Sequence, residues 1–470
     1  MTALPLSPAA LATVYFATLV YRLGHVAAAG AIGAVALIAY LLLEFRRLPH
    51  KGKVVISCMM AVSAVMALIV PAPLESARQG LHTACFYAAF FTAIGFLRQA
   101  AETSPLVRRC GQHLIAQPPG RRYLALTWGA HFYALILSYG AVELLGQMVR
   151  RANTLSAAGG DAAVRALRER RMLLAIYRGF ANSTNWSPLA IMLVVVLSVV
   201  PGTSWEQVVP LGFLFGAALN MLGWTMDRFS AARAATSGGV RPPATRERWP
   251  VHLRILGLIV LVLGTAITLE NLLDTHLILA TAMTVPLISV LWILIQYRRA
   301  RTVKAAALTA RRLRRHVLTQ FPQHRMEVVI LGGAGFTGTM VAAGIPTEAV
   351  AQFVGSLGLP AIVLPIVAMW IVAATGQLGL NPIISVTVVG AALGDPRVYG
   401  LDPAVVAVAY MTGWALSTNF SPFVAVSLIV ARLANTTAYD VTMRWNGCFV
   451  AAGGLVGAVG VLILHMLRAG

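Results

Sequence analysis

This sequence is short of charge: only 11% of its 470 residues are Asp, Glu, Lys or Arg, against about 25% in soluble globular domains. That shortage excludes a water-soluble globular fold. Hydrophobic residues make up 58% of the chain and the mean hydropathy is +0.76. Intrinsic disorder is excluded as well, because so much apolar surface either collapses or enters a bilayer. Cysteine is scarcer still. Cys58, Cys85, Cys110 and Cys448 lack metal-ligand spacing and three lie in apolar stretches, so they read as packing residues. There is no Walker motif and no zinc-ligand cluster, hence no sign of ATP-driven or metal-dependent chemistry, and no cofactor is expected. Met1 to Ala10 carries no basic n-region, so no cleavable signal peptide is expected. What remains is an all-α polytopic membrane protein, whose unit is a spanning helix of about 20 apolar residues.

Acidic residues are scarcer than basic ones, 16 against 37, and the net charge is +21. Location decides what that charge means. The cations concentrate in short loops between apolar stretches, nine of them between Arg298 and Arg325, a segment that also reads as a basic surface helix. Phe321 is its one aromatic, so it lacks the base-stacking and base-reading groups of a nucleic-acid surface. Loops of this kind set orientation instead, by remaining cytoplasmic.

Apolar windows fall at about 8–21 (short, a partial span), 25–45, 53–71, 77–97, 122–149, 172–200 and 206–226. A polar linker over 227–250 follows, then 252–270, 275–297, 327–343, 360–393, 403–433 and 445–468. That predicts about 10–11 spanning helices and two hairpins, arranged as an N-terminal extra segment (1–24), a first repeat (25–226), the linker and a second repeat (251–468) with its basic loop at 298–326. Duplication is legible in the residues. Arg178-Gly-Phe-Ala-Asn-Ser-Thr-Asn-Trp-Ser-Pro188 aligns with Thr412-Gly-Trp-Ala-Leu-Ser-Thr-Asn-Phe-Ser-Pro422, placing a break in corresponding spans of the two halves.

Charge bias tests the topology. If 122–149 and 360–393 are re-entrant hairpins, each repeat crosses five times and the halves are inverted. The stretches 46–53, 98–122, 150–171, 227–254, 298–325 and 432–444 then all lie inside, with 32 of the 37 Lys and Arg. A full crossing by either hairpin would force basic loops outside, against the rule. The expected location is the inner membrane of the cell.

Irregular backbone at membrane depth is tolerated only inside protein or along a wet cavity. The breaks and hairpin tips are therefore the expected substrate site. Ser183, Thr184, Asn185, Ser187 and their counterparts Ser417, Thr418, Asn419, Ser421 supply hydroxyls and amides. Pro188 and Pro422 are expected in the first turn of the second half-helices, where proline is tolerated. The tips supply Gly140, in Ser138-Tyr-Gly-Ala-Val-Glu143, and Gly376, Gln377 and Asn381, in Thr375-Gly-Gln-Leu-Gly-Leu-Asn-Pro382. Glu143 is the only carboxylate in either hairpin, so it is read as proton carrier, cation ligand or partner of Arg178, the alternative being an ion pair with a loop arginine such as Arg150. Arg178, whose repeat counterpart is Thr412, is read as the anion-binding residue, the alternative being a snorkelling arginine seven residues beyond Arg171. His131 reads as a packed histidine. Gly333-Ala-Gly-Phe-Thr-Gly338 has the spacing of a dinucleotide fingerprint, but in an apolar span it reads as close helix packing. The sequons at Asn182 and Asn435 fall within the membrane and on the inner side.

Two inverted repeats, each with a hairpin followed by a discontinuous helix, resemble the ion transporter superfamily, which includes divalent anion–sodium symporters, citrate and arsenite carriers and TRAP large subunits. The likeness covers about 25–468. It departs in the tips: anion symporters carry Ser-Asn-Thr there, whereas here Ser-Thr-Asn lies in the broken helices. The resemblance implies a secondary transporter, elevator-type and often dimeric. The expected activity is transport of a small organic anion coupled to H⁺ or Na⁺. Alternatives are a cation/proton antiporter using Glu143, and a membrane-embedded lipid or polysaccharide enzyme drawing on Glu75, Glu206, Glu270, Asp274, Glu348, Asp395 or Asp402.

Overall fold

A computed structural model describes residues 6–233, 248–299 and 302–469. Most of the expected linker 227–250, the start of the segment 1–24, and Ala300 and Arg301 of the basic loop lie outside the described residues. Among the described residues there is no strand, in keeping with an all-α polytopic membrane protein. In chain order the helices are α1 Leu6–Gly24, α2 Ala27–Phe45, α3 His50–Ala67, α4 Pro73–Glu102, α5 Pro105–Ile115, α6 Pro119–Leu137, α7 Tyr139–Ala152, α8 Ala162–Ser183, α9 Ile191–Val199 and α10 Trp205–Arg233. Then follow α11 Pro250–Leu273, α12 Leu277–Gln296, α13 Thr302–Gln320, α14 Arg325–Gly344, α15 Thr347–Ser356, α16 Val363–Thr375, α17 Pro382–Leu393, α18 Pro403–Phe420, α19 Ala425–Ala434 and α20 Gly447–Ala469.

Nine stretches among the described residues are helical, long and apolar enough to cross a bilayer. One is α1, whose 19 residues exceed the partial span expected at 8–21. The span expected at 53–71 is shorter, with Gly52–Ala67 as its apolar part.

The chain divides into two compact units, and the cut does not follow the halves of the sequence. One unit comprises Met1–Ala100, Val260–Val350 and Gly390–Leu393; the other comprises Ala101–Ile259, Ala351–Val389 and Gly394–Gly470. Each unit thus takes segments from both halves of the sequence.

In the first unit, α1 packs on α2 and α3 on α14. Its core joins Leu11, Val14, Leu37, Tyr40, Ala88 and Phe321. The small-residue run of α14 lets side chains from neighbours sit on it: Gly333 faces Met59 and Gly335 faces Tyr87. Ser63 donates to Thr337 Oγ1 at 3.0 Å across the same seam. The Gly-rich motif is thus a packing surface in mid-helix. Pro286, inside α12, cannot donate to the carbonyl four residues earlier. That carbonyl, of Ala282, accepts from Tyr15 Oη at 3.0 Å instead.

In the second unit, α6 packs along α8, and α16 along α18. The aligned glycines explain how closely. A Cβ at Gly179 would lie 2.1 Å from the Thr127 carbonyl oxygen, and one at Gly413 would lie 2.5 Å from that of Met369. The two aligned glycines therefore make the same kind of backbone-to-backbone contact.

Candidate functional site

Both expected breaks are present. The first interrupts the chain between α8 and α9, over 184–190, and the second between α18 and α19, over 421–424. They begin at different points of the aligned motif. Ser183 ends α8, so Thr184 and Asn185 are out of the helix, whereas Ser417, Thr418 and Asn419 remain within α18. Pro188 and Pro422 are not in the first turn of the following helices, as the sequence suggested. Each lies in the break, three residues before the helix starts at Ile191 or Ala425. Each proline sits in the turn that leads into the following helix rather than in that helix's first turn.

The hairpin regions are helix–break–helix elements. Between α6 and α7 the chain turns at Ser138, whose φ is 49° and ψ −134°, a conformation that costs a residue with a Cβ about 1–3 kcal/mol. Gly140 is buried at the second position of α7. Between α16 and α17 a single 3₁₀ turn over Gly376–Leu378 leads into Gly379, at φ 79°. This element meets the second break directly. Ser421 Oγ donates to the Gly376 carbonyl at 2.6 Å, and Gln377 Nε2 to that of Phe420 at 2.5 Å. A Cβ at Gly376 would strike Ser417 Oγ at 2.3 Å, and that buried hydroxyl has no hydrogen-bond partner. Asn381 stands apart from this cluster, accepting from the Ile383 amide at 3.0 Å.

Several break hydroxyls are satisfied by their own helix. Ser183 donates to Phe180 at 2.7 Å, Thr184 to Ala181 at 2.6 Å and Thr418 to Trp414 at 2.9 Å, in each case to the backbone carbonyl. Ser187 is buried beside them. The amides, in contrast, reach between the two aligned segments. Asn185 Oδ1 accepts from Thr412 Oγ1 at 3.1 Å, and Asn419 Nδ2 donates to Asn182 Oδ1 at 3.0 Å. All four residues are fully buried.

These bonds belong to a longer polar chain. Arg178 Nε donates to Asn446 Oδ1 at 2.7 Å, Asn446 Nδ2 to the Asn419 carbonyl at 2.8 Å, and Asn182 Nδ2 to Asn220 Oδ1 at 2.9 Å. The Asn220 amide lies 3.2 Å from His131 Nδ1. At the far end, Trp186 Nε1 donates to His131 Nε2 at 2.8 Å. An indole can only donate, so Nε2 is bare and the ring proton sits on Nδ1, 3.1 Å from the Gly179 carbonyl. Held this way by Trp186 and Gly179, His131 abuts the amide chain without bonding to it, because the Asn220 NH2 and the Nδ1 proton are both donors.

Arg178 is 5% exposed. It does not snorkel. Besides Asn446 it donates through Nη1 to Tyr123 Oη at 2.9 Å, and its guanidinium stacks 4.4 Å from the Phe449 ring centre. Among the described residues no carboxylate forms an ion pair with it. A buried cation with only neutral partners costs stability unless an anion completes it, and a guanidinium has five N–H donors to offer.

Glu143 and Arg178 do not pair with each other, nor does Glu143 pair with Arg150. Glu143 lies on α7 with its side chain 33% exposed, bonded to Arg432 of α19 and accepting from Gln147 Nε2 at 2.6 Å. The two sequon asparagines are also accounted for. Asn182 is in the polar chain, and Asn435 caps α19 at φ 50°, a left-handed position that asparagine tolerates.

Four members of the polar chain were not singled out from the sequence as site residues: Tyr123, Asn182, Asn220 and Asn446. Asn220 is a lone amide in an otherwise clean span, which by itself is a signal, because isolated polar groups at membrane depth need partners.

No protein-family model matches the chain, and no curated protein matches it either. Solved structures do resemble it. The YdaH transporter of Alcanivorax borkumensis superposes with a TM-score of 0.51 over 88% of this chain and 99% of that one, at 13% identity. MtrF of Neisseria gonorrhoeae, described as illuminating a class of antimetabolite efflux pumps, gives 0.53 over 88% and 95%, at 12% identity. The likeness is one of fold.

Proposed function

We propose that the protein is a secondary transporter of the ion transporter superfamily type, moving a small organic anion across the inner membrane in exchange or symport with H⁺ or Na⁺. The observation that carries this reading is Arg178, a buried guanidinium on a broken helix with no carboxylate among the described residues to neutralise it. The Ser417–Gly376 cluster and the breaks add unpaired and neutral polar groups of the kind a small solute would use. The fold shared with YdaH and MtrF supports a transporter, and the efflux named for MtrF favours export. Two compact units, each drawn from both repeats, are what an elevator needs, one as scaffold and one as carrier, with the scaffold able to serve a homodimer. A ligand that binds only the folded protein raises its melting temperature by mass action, about 2.7 kcal/mol at a hundredfold excess over Kd. A screen of organic acids, with and without Na⁺, is expected to find an anion that shifts wild type. No shift by any anion under either condition would count against the reading.

Coupling is assigned to Glu143. Its bond to Arg432 links α7 to α19, so protonation would loosen that one contact between the two helices. Glu143→Gln is expected to abolish transport driven by a pH gradient while sparing substrate exchange. Arg432→Gln, which leaves the carboxylate in place, is expected to retain pH-driven transport with altered rate. Equal loss of gradient-driven transport in both variants would make the pair a tether only. A cation/proton antiporter would require this same carboxylate to leave Arg432 for its cation. The enzyme alternative has little to draw on outside the spans. Asp395, held below the usual carboxylate range chiefly by the Arg397 backbone N–H, and Asp402, bonded to Ala404 N and Arg468, are occupied by structural roles.

Orientation follows from the cations. The segment 344–360 contains no Lys or Arg and is assigned to the outside, with 98–122 and 298–326 inside. An impermeant thiol reagent added from outside is expected to label Ser356→Cys and not Thr302→Cys, both exposed positions. The reverse pattern would overturn the inverted topology.

A further inference from the structure

The first unit contains an apolar crevice of about 290 Å³ whose lining includes Phe16, Phe96, Leu287, Val290, Val317 and Phe321. Apolar cavities of about 150 Å³ already hold a benzene ring. This one is open to the surface of the unit, since Phe16 is 64% and Leu287 69% exposed. Pro286 lines it as well, and a proline inside a helix bends it away from its neighbour.

Charge stands directly beside the crevice. On α13, residues three and four apart share a face, so Arg311, Arg314 and Val317 form one stripe that runs on to Phe321. Arg311, Arg314 and Arg315 are all exposed, and among the described residues none of them is in an ion pair. Arg312, on the other side, is turned inward, donating to Gln296 Oε1 at 3.0 Å and to the Gln99 carbonyl at 2.8 Å. That fixes the helix against the ends of α12 and α4 and leaves its remaining arginines facing out. The same stripe therefore changes from cationic to apolar where it enters the crevice.

We propose that this stripe and the crevice form a binding site for one anionic glycerophospholipid, its phosphate against Arg311 and Arg314 and an acyl chain between α1, α12 and the end of α13. A neutral or zwitterionic lipid would leave the unpaired guanidinium groups without a net countercharge. Soluble phosphate would leave the crevice empty. Only a molecule with both parts satisfies both features, and the proposal does not depend on which solute is transported.

The test offers the purified full chain, in an uncharged detergent, equal amounts of phosphatidylglycerol and phosphatidylcholine, and quantifies the retained lipid by mass spectrometry. Each juxtamembrane cation contributes about 1 kcal/mol towards an anionic headgroup, so wild type is expected to prefer phosphatidylglycerol by on the order of tenfold. The double variant Arg311→Gln/Arg314→Gln is expected to retain the two lipids equally. Leu287→Trp, which fills the crevice from its open side, is expected to lose phosphatidylglycerol to background. Leu214→Trp, at an exposed position on α10, is expected to behave as wild type. Equal retention by wild type, undiminished retention by Leu287→Trp, or displacement of the lipid by excess inorganic phosphate would each overturn the proposal.

Discussion

Arg178→Met is expected to eliminate anion transport, and with it any anion-induced rise in melting temperature, while the variant itself melts within a few degrees of wild type. The stability half of this expectation comes from two opposing terms. Burying a charge costs several kcal/mol even after relaxation, and no carboxylate offsets that cost here. Against it, removing the guanidinium strands the Asn446 carbonyl oxygen and the Tyr123 hydroxyl it binds, at about 1–3 kcal/mol each. The two terms nearly cancel. The transport half does not cancel, because a bound anion would lose charge-assisted hydrogen bonds worth at least about 3 kcal/mol, a factor of more than about 100.

Arg178→Lys separates charge from geometry. Lysine keeps the positive charge but loses the planar fork, and it cannot reach both Asn446 and Tyr123 while also presenting two parallel donors. Apparent affinity is expected to fall at least tenfold with the protein still folded. If Arg178 instead serves only to hold α8 to Asn446 and Tyr123, both variants will melt early and the folded fraction will transport normally. Normal transport by folded Arg178→Met would remove this residue from the substrate site, leaving the Ser417–Gly376 cluster to carry it.

The breaks were readable in the sequence because lipid imposes a strict rule. A run such as Asn182-Ser-Thr-Asn-Trp-Ser-Pro188 cannot continue a regular helix past its proline, and unpaired backbone is tolerated at membrane depth only in protein or along water. The partners of the charged residues were not readable. Arg178 follows a basic stretch ending at Arg171, which left a side chain reaching back to the surface as the alternative to anion binding. Asn446, 268 residues away, turns it inward. Glu143 similarly meets Arg432, 289 residues away. Local spacing carries no information about such pairs, since they depend on how the repeats pack. The same reason hides the two compact units. Hydropathy marks where helices begin and end, but not that the first hundred residues pack with 260–350. Asn220 and Asn446 escaped for a related reason: each is a single amide outside the duplicated motif, so repetition did not point to it.

Gly179→Ala is expected to be among the most damaging single substitutions in the second unit, and Gly413→Ala is expected to be damaging as well. Both glycines occupy the same place in the duplicated motif, and the reason is steric rather than conformational. At Gly179 the added carbon would lie 2.1 Å from the Thr127 oxygen, 2.9 Å from its carbonyl carbon and 3.0 Å from its Cα. At Gly413 it would lie 2.5 Å from the Met369 oxygen and 3.1 Å from both the Met369 Cα and the Val372 Cβ. These neighbours are chiefly backbone, which cannot rotate away as a side chain can, so whole helices must separate. Overpacking usually costs about 1–3 kcal/mol, and a clash against backbone belongs at or above the top of that range. Displacing α6 would also move His131, whose Nδ1 faces the Gly179 carbonyl, and through it the amide chain leading to Arg178. Gly179→Ala is therefore expected to lower the melting temperature sharply and to lose transport even in the fraction that folds. Gly264→Ala is the control. It lies in α11 with nothing within 4 Å of the added carbon, so alanine's better helix propensity, about 1 kcal/mol over glycine, should leave it neutral or slightly more stable. A Gly179→Ala protein that melts with wild type would show that α6 and α8 do not approach as closely as this packing requires, and would remove the structural basis for equating the two repeats at this contact.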